Sequence, residues 1–351
     1  MSKETADRTK EYLDSLAKPP GSLGELEHMA VRISSITGSI KNNLNRRIVL
    51  VFSADNGVVE EGIASGPKEI TALQTINMLE GRTGVSVLAK HFGSDLCVTD
   101  VGVDADLCHK DLVDRKIRRG TSNIAKMAAM SLEEAIEAVF IGMDTVKNAA
   151  SKGYQLIGIG EMGIGNTTTS SALLAALLGL PMEAIEEVVG KGAGLTKEGY
   201  EKKLWVVKQA LLMNQPDRDD PLDCLQKVGG FDLAAMTGAY LGAALYRIPV
   251  VIDGFISIVA ALCAARLCKD AVSYMFASHH SHERGYELAL KALSLRAPLH
   301  LDMRLGEGSG CPLMFSMLEA ACMIVRDMAT FEQANINTDY LEPLKSEDAF
   351  S

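Results

Sequence analysis

Residues 157–171, IGIGEMGIGNTTTSS, run an apolar strand into a glutamate, two spaced glycines and a hydroxyl-rich helix start. Gly163 and Gly165 free the backbone to bring its N–H groups close to a ligand, and Asn166 or Thr167 is expected to cap the helix that follows. A helix beginning after such a turn offers unpaired N–H groups and the positive end of its dipole, which together favour an anion. Glu161 is the informative oddity. A carboxylate repels phosphate, so its expected task is to hold the hydroxyls of an attached sugar. The segment therefore reads as a site for a phosphorylated ribose; the alternative is a glycine-rich corner that binds no anion.

Working outward, five further segments read as strands, 48–54, 96–101, 250–252, 271–277 and 299–305, with the present one at 154–160. Between them lie apolar-periodic stretches read as helices, among them 69–91, 132–150, 167–178, 233–246 and 256–267. Alternating strands and helices predict an α/β fold with a mostly parallel, Rossmann-like sheet flanked by helices. Right-handed crossovers would bring the strands' carboxyl ends to one edge, where ligands of open α/β sheets bind. Of the six turns that follow these strands, five hold an acid: Asp55, Asp104, Glu161, Asp253 and Glu307. Wet loops alone do not require that repetition, and a single composite site is expected. Residues 37–311 are expected to form this core, with 1–36 and 312–351 packing together as a small helical domain.

Bulk properties narrow the partners. The 351 residues carry a net charge of −10, and no Lys/Arg stripe interleaved with aromatics is present, so nucleic acid is not expected. No apolar run is long enough to span a bilayer. The polar opening MSKETADRTKEYL has no signal-like apolar region, so a cytoplasmic location is expected. Seven scattered cysteines without a C-x-x-C read as buried free thiols of a reducing compartment.

Several motifs could carry chemistry. RLGEGSG (304–310) sets Glu307 between glycines, where a substrate can approach the carboxylate and partial desolvation would raise its pKa toward that of a general base; a surface glutamate in a glycine turn is the plainer reading. KGAGLTKEG (191–199) offers Lys191 as a point charge for phosphate, against an ordinary solvated lysine. SHHSHERG (278–285) is read as a polar loop lining the cleft rather than a metal centre, because adjacent histidines share one ion poorly. In GGFDLAAMTGAYLGAA (229–244) the small residues point to close helix packing, and Asp232 to a helix-start acid favoured by the dipole. No Walker lysine–Ser/Thr pair or Ser–His–Asp order occurs.

Taken in order, KPPGSLGELE (18–27), SADNGVVEEGIASGPKEITALQ (53–74), GRTGVSVLA (81–89), GEMGIGNTTTSSAL (160–173), GKGAGL (190–195), GGFDLAAMTGA (229–239), VVIDGFIS (250–257), SHHSHERG (278–285) and LDMRLGEGSG (301–310) resemble the nicotinate-nucleotide–dimethylbenzimidazole phosphoribosyltransferases. The resemblance covers nearly the whole chain. It implies transfer of phosphoribose from nicotinate mononucleotide to a lower-ligand base, by a homodimer that needs no cofactor or metal. Carried over by motif position, Glu307 is implied as the general base. Glu161, Gly163, Gly165, Asn166, Thr167, Lys191 and Asp253 are implied on the nucleotide side, and Gln74, Met162 and Leu305 in the base pocket. Gly66 replaces a serine of some relatives, and Met162 a common leucine, so a purine or phenolic acceptor stays an alternative. A non-catalytic nucleotide sensor of the same fold is the other.

Overall fold

The computed structural model describes residues 1–192 and 194–341; residues 342–351 of the expected C-terminal piece lie outside them. The chain opens with α1 (Lys3–Ser15) and α2 (Glu25–Thr37), then β1 (Arg47–Ala54), α3 (Ile70–Leu79), α4 (Gly84–His91), β2 (Asp95–Gly102) and β3 (Val113–Asp114). It continues through α5 (Leu132–Ser151), β4 (Leu156–Met162), α6 (Asn166–Leu178), α7 (Lys197–Asn214), α8 (Pro221–Val228) and α9 (Phe231–Leu245). It closes with β5 (Val250–Ile252), α10 (Phe255–Leu267), β6 (Met275–Ala277), α11 (Tyr286–Ala292) and α12 (Cys311–Asp327).

All six strands are parallel, in the order β3-β2-β1-β4-β5-β6. Alternation along the strands decides which layer each side chain joins. Leu50, Phe52, Ile157 and Ile159 face a core shared with α5, α6, α9 and α10. Val49, Val51, Val98 and Val251 face the opposite layer, filled by α2 and α12 through Ile33, Ile36, Met314, Phe315 and Leu318. Both central strands are buried on both faces, which is why they read as continuous apolar runs. The chain's two ends meet in that second layer. The N–H of Ala17 donates to the carbonyl of Ala329 (2.9 Å), and Leu16 forms an antiparallel bridge with Thr330.

Four sequence expectations need correction. The stretch 69–91 is two helices, because GRTG interrupts it: Gly81 takes φ +76° and Thr83 caps α4, its hydroxyl accepting from the Ser86 N–H. Residues 299–305 form no strand; only Leu299 bridges to His279, and the rest passes over the cleft with Leu301 and Leu305 exposed. The segment 271–277 begins as a 3₁₀ turn and contributes only its last three residues to the sheet. The two-residue β3, with both side chains exposed, carries no periodic signal. The cysteines are all free, but Cys97 is half-buried and Cys108 and Cys268 are exposed.

Candidate active site

Strand order reverses between β1 and β4, and the crevice at such a reversal lies at the strands' carboxyl ends. Into it the structure brings Glu161, Met162 and Gly163 from the end of β4, and Gly165, Asn166 and Thr167 from the start of α6. Gln74 of α3, Lys191, Asp253 after β5, and Leu305 and Glu307 complete the set of expected residues on one cleft. Asp55 and Asp104 do not join it. The Asp104 N–H donates to Asp55 (2.8 Å), and Lys68 pairs with Asp104 (2.9 Å), making a separate cluster beyond β1.

Glu307 sits in a strained turn. Gly306, Glu307 and Gly308 take φ +85°, +65° and +89°, a left-handed run that costs a residue bearing a Cβ roughly 1–2 kcal/mol. The surroundings over-determine it. Asp253 accepts from the Gly308 N–H (3.0 Å) and the Gly310 N–H (2.7 Å), and the Glu307 N–H donates to Glu161 Oε1 (3.2 Å). Below the turn, a Cβ on Gly160 would lie 2.6 Å from the Glu307 carbonyl carbon, so β4 must carry glycine there. The Glu307 carboxylate reaches the start of α4, where Oε2 accepts from the Val85 N–H (3.1 Å). Burial raises its pKa, and the Val85 and Gly84 N–H groups and the Thr83 hydroxyl oppose that rise. A partly desolvated carboxylate held at a helix N-terminus is suited to accept a proton.

Asn166 is not the cap of α6. Gly165 occupies that position at φ +90°, and the Asn166 side chain turns inward. Its one Nδ2 group donates to Glu161 Oε2 (2.5 Å) and to Asp232 Oδ2 (3.0 Å). Gly163 is required by a close approach of the protein to itself: a Cβ there would stand 2.5 Å from the Ala54 carbonyl oxygen. Asp232, expected merely as a helix-start acid, is fully buried behind this amide. Burial, the Asp232 charge and the Asp253 charge push Glu161 up to about 8, against the opposing Asn166 and Glu307 hydrogen bonds. Burial likewise raises Asp232 to about 6 and Asp253 to about 7.

At the other end of the cleft lies a residue the sequence reading did not single out. Lys203 of α7 is 1% exposed, and its Nζ donates to Thr167 Oγ1 (2.9 Å) at the start of α6. Burial lowers its pKa to about 8, and the nearby Glu283 carboxylate opposes the fall. Lysine is almost never so buried without a counter-charge, and this one faces a helix N-terminus. Lys191 lines the same end but is exposed. His279, Ser281 and Glu283 of the histidine loop line the cleft as expected. His279 is held with its pKa lowered to about 4 by burial and by His280, so it is neutral at pH 7. Away from Lys203, Met162, Ile70 and Leu305 make an apolar wall that Gln74 joins, and Leu305 is 59% exposed. Among the described residues no three His, Cys, Asp or Glu side chains converge as metal ligands would.

Comparison with known proteins agrees with this arrangement. A family model described as phosphoribosyltransferase matches residues 1–336. The nicotinate-nucleotide–dimethylbenzimidazole phosphoribosyltransferase of Clostridium perfringens is 52% identical over 343 residues, covering 98% of this chain and 94% of its own. That of Clostridium acetobutylicum is 45% identical over 345 residues, covering 98% and 97%. The crystal structure of CobT from Thermus thermophilus superposes with a TM-score of 0.91 at 40% identity, over 95% of this chain and 99% of that one.

Proposed function

Since the chain belongs to the nicotinate-nucleotide–dimethylbenzimidazole phosphoribosyltransferase family, we propose that its cleft transfers phosphoribose from nicotinate mononucleotide to dimethylbenzimidazole or a related aromatic base. The supporting observation is the order of groups along one cleft. A buried cation stands at a helix N-terminus, the buried Glu161 carboxylate beside it, and a partly desolvated glutamate beside an apolar wall.

The 5′-phosphate lies at the start of α6, against Gly165 and Thr167, with Lys203 as its cation and Lys191 closing from the exposed side. Glu161 faces the ribose. The acceptor base lies between Met162, Gln74 and Leu305. One nitrogen lone pair of the base forms the new bond to the anomeric carbon, and the old C–N bond breaks with its electrons moving onto the pyridinium nitrogen. Nicotinate thus leaves without needing a proton, and Glu307 takes the proton from the other base nitrogen. Attack opposite the leaving group converts the β-linked nucleotide into an α-riboside 5′-phosphate. The cationic substrate favours the ionised form of Glu161, whose negative charge then stabilises the cationic sugar of the transition state. Asp253 supports the chemistry by holding the turn that carries Glu307, rather than by touching the nucleotide.

Three further parts of the reading are proposals. Residues 37–311 act as the catalytic core and 1–36 with 312–351 as one helical unit, supported by the pairing of Ala17 with Ala329. The protein works as a homodimer, supported by the exposed stripe Leu132, Ile136 and Phe140 on α5; a stable monomer in light scattering at working concentration contradicts it. It acts in the cytoplasm, and no described helix is long and apolar enough to cross a membrane. The activity itself is tested by incubating nicotinate mononucleotide with dimethylbenzimidazole, adenine or p-cresol and following nicotinate and the riboside by chromatography. Base-dependent nicotinate release is expected. Folded protein that binds the nucleotide yet releases none with any base contradicts the transferase reading.

A further inference from the structure

Glu161, Asp232 and Asp253 are three buried carboxylates, and among the described residues none of them is ion-paired to a lysine, arginine or histidine. Two of them share one donor group, the Asn166 amide, which reaches Glu161 at 2.5 Å and Asp232 at 3.0 Å. Asp232 is also fixed from its own side, since Oδ1 accepts from the Leu233 N–H (2.9 Å) at the start of α9. Asp232 does not line the cleft, whereas Glu161 and Asn166 do. Burying such charges without a cation is costly. In the free protein burial is relieved by proton uptake, with Glu161 raised to about 8, and an arriving positive charge would favour its ionised form instead.

We propose that Asp232 is a positioning residue for phosphoribosyl transfer: through Asn166 it holds the Glu161 carboxylate in place and adds a second negative charge behind it, tuned to a cationic ribosyl group. The proposal rests on the reading of Glu161 as the ribose-facing carboxylate. The donor nucleotide brings a cationic ring nitrogen, and the transition state moves that charge toward the sugar, nearer the pair. Substrate binding therefore supplies the counter-charge that the folded protein lacks. Sharing the cleft with Glu161, the other titratable and charged groups are Asp253 from the turn after β5, Glu307 from its glycine turn, His279 and Glu283 after β6, Arg304, Lys191 and Lys203 of α7. Asp232 alone reaches Glu161 through a shared amide.

The test compares Glu161→Gln, Asp232→Asn and the double variant, using kcat, both KM values and the pH profile of kcat/KM for the nucleotide. With Asp232→Asn, kcat is expected to fall about 10-fold with the KM of the base unchanged. Removing a like charge lowers the pKa of Glu161, so the acid limb moves to lower pH. In the double variant the loss should match that of Glu161→Gln alone, because both act through one group. A merely structural Asp232 would change thermal stability and leave the acid limb in place. Should Asp232→Asn fold poorly, Asn166→Ala cuts the same link with Asp232 intact, and its kcat is expected to fall in the same direction. Wild-type kcat in either folded single variant, or effects that multiply with those of Glu161→Gln, overturns the proposal. Wild-type kcat in Glu161→Gln itself removes the ribose-facing reading as well, so the two failures are told apart.

Discussion

Glu307 Oε2 accepts a hydrogen bond from the backbone N–H of Val85 at 3.1 Å, which joins the glycine turn at the end of the chain's core to the second residue of α4. The bond stabilises the ionised carboxylate and so works against the burial that raises its pKa. Val85→Pro removes this donor at a helix position that tolerates proline. The Glu307 pKa should then rise, and the acid limb of the rate profile should move to higher pH. Turnover is expected to fall more at pH 6 than at pH 8, and an unchanged profile contradicts the coupling.

Lys203 and Lys191 are both available to a phosphate, but only Lys203 is preset by burial against Thr167. Lys203→Met is expected to raise the KM for nicotinate mononucleotide by about 10- to 100-fold, the range for losing a charge-assisted contact of about 1.5–3 kcal/mol. Lys191→Met should change it only a few-fold. Isothermal titration of the nucleotide into each variant decides the order, and equal losses would return the phosphate to the exposed lysine.

Asp253 satisfies the N–H groups of both Gly308 and Gly310. Asp253→Ala leaves two buried donors without an acceptor, at a cost of roughly 1–3 kcal/mol for each. The expected outcome is a lower Tm together with a kcat loss, because the turn holding Glu307 is released. A normal Tm with a raised nucleotide KM alone would mean that Asp253 contacts the nucleotide instead.

Glu161, with its pKa raised to about 8, gives a signed prediction for stability. Unfolded, it titrates near 4.5, so between the two values the folded state binds the additional proton. The stability it contributes is fully present below about pH 4.5 and is lost as pH rises through about 8. Glu161→Gln removes that loss. Its Tm at pH 8 should exceed that of the wild-type protein by roughly 2–4 °C per kcal/mol recovered, even as activity falls. A Tm difference independent of pH contradicts the raised value.

How far the sequence foretold this site varies by residue, for physical reasons. Strand ends are legible because apolar runs stop at acids and glycines, and Glu161 and Asp253 meet as that pattern implies, whereas Glu307 joins them from a turn that follows no strand. The helix break at Gly81–Gly84 was hidden because apolar periodicity continues across it, yet it creates the N-terminus that Glu307 needs. The alternation of 301–305 imitates a strand; without a neighbour to pair with, Leu305 is left exposed as a cleft wall. Lys203 was lost in the charged run EGYEKK, although it shares a helical face with Val206, Val207, Ala210 and Leu211. A lysine on an apolar stripe is the signal that could have found it. Asp232 carried no such signal, since helix-start acids are common and only the fold reveals the amide between it and Glu161.

The most direct measurement is the turnover of Glu307→Gln with saturating nicotinate mononucleotide and dimethylbenzimidazole, with nucleotide affinity measured alongside. Loss of the proton acceptor is predicted to lower kcat by about 10²- to 10⁴-fold, while nucleotide affinity stays within about 3-fold because the ribose and phosphate contacts remain. Wild-type kcat in that folded variant would contradict the assignment of Glu307 as the base.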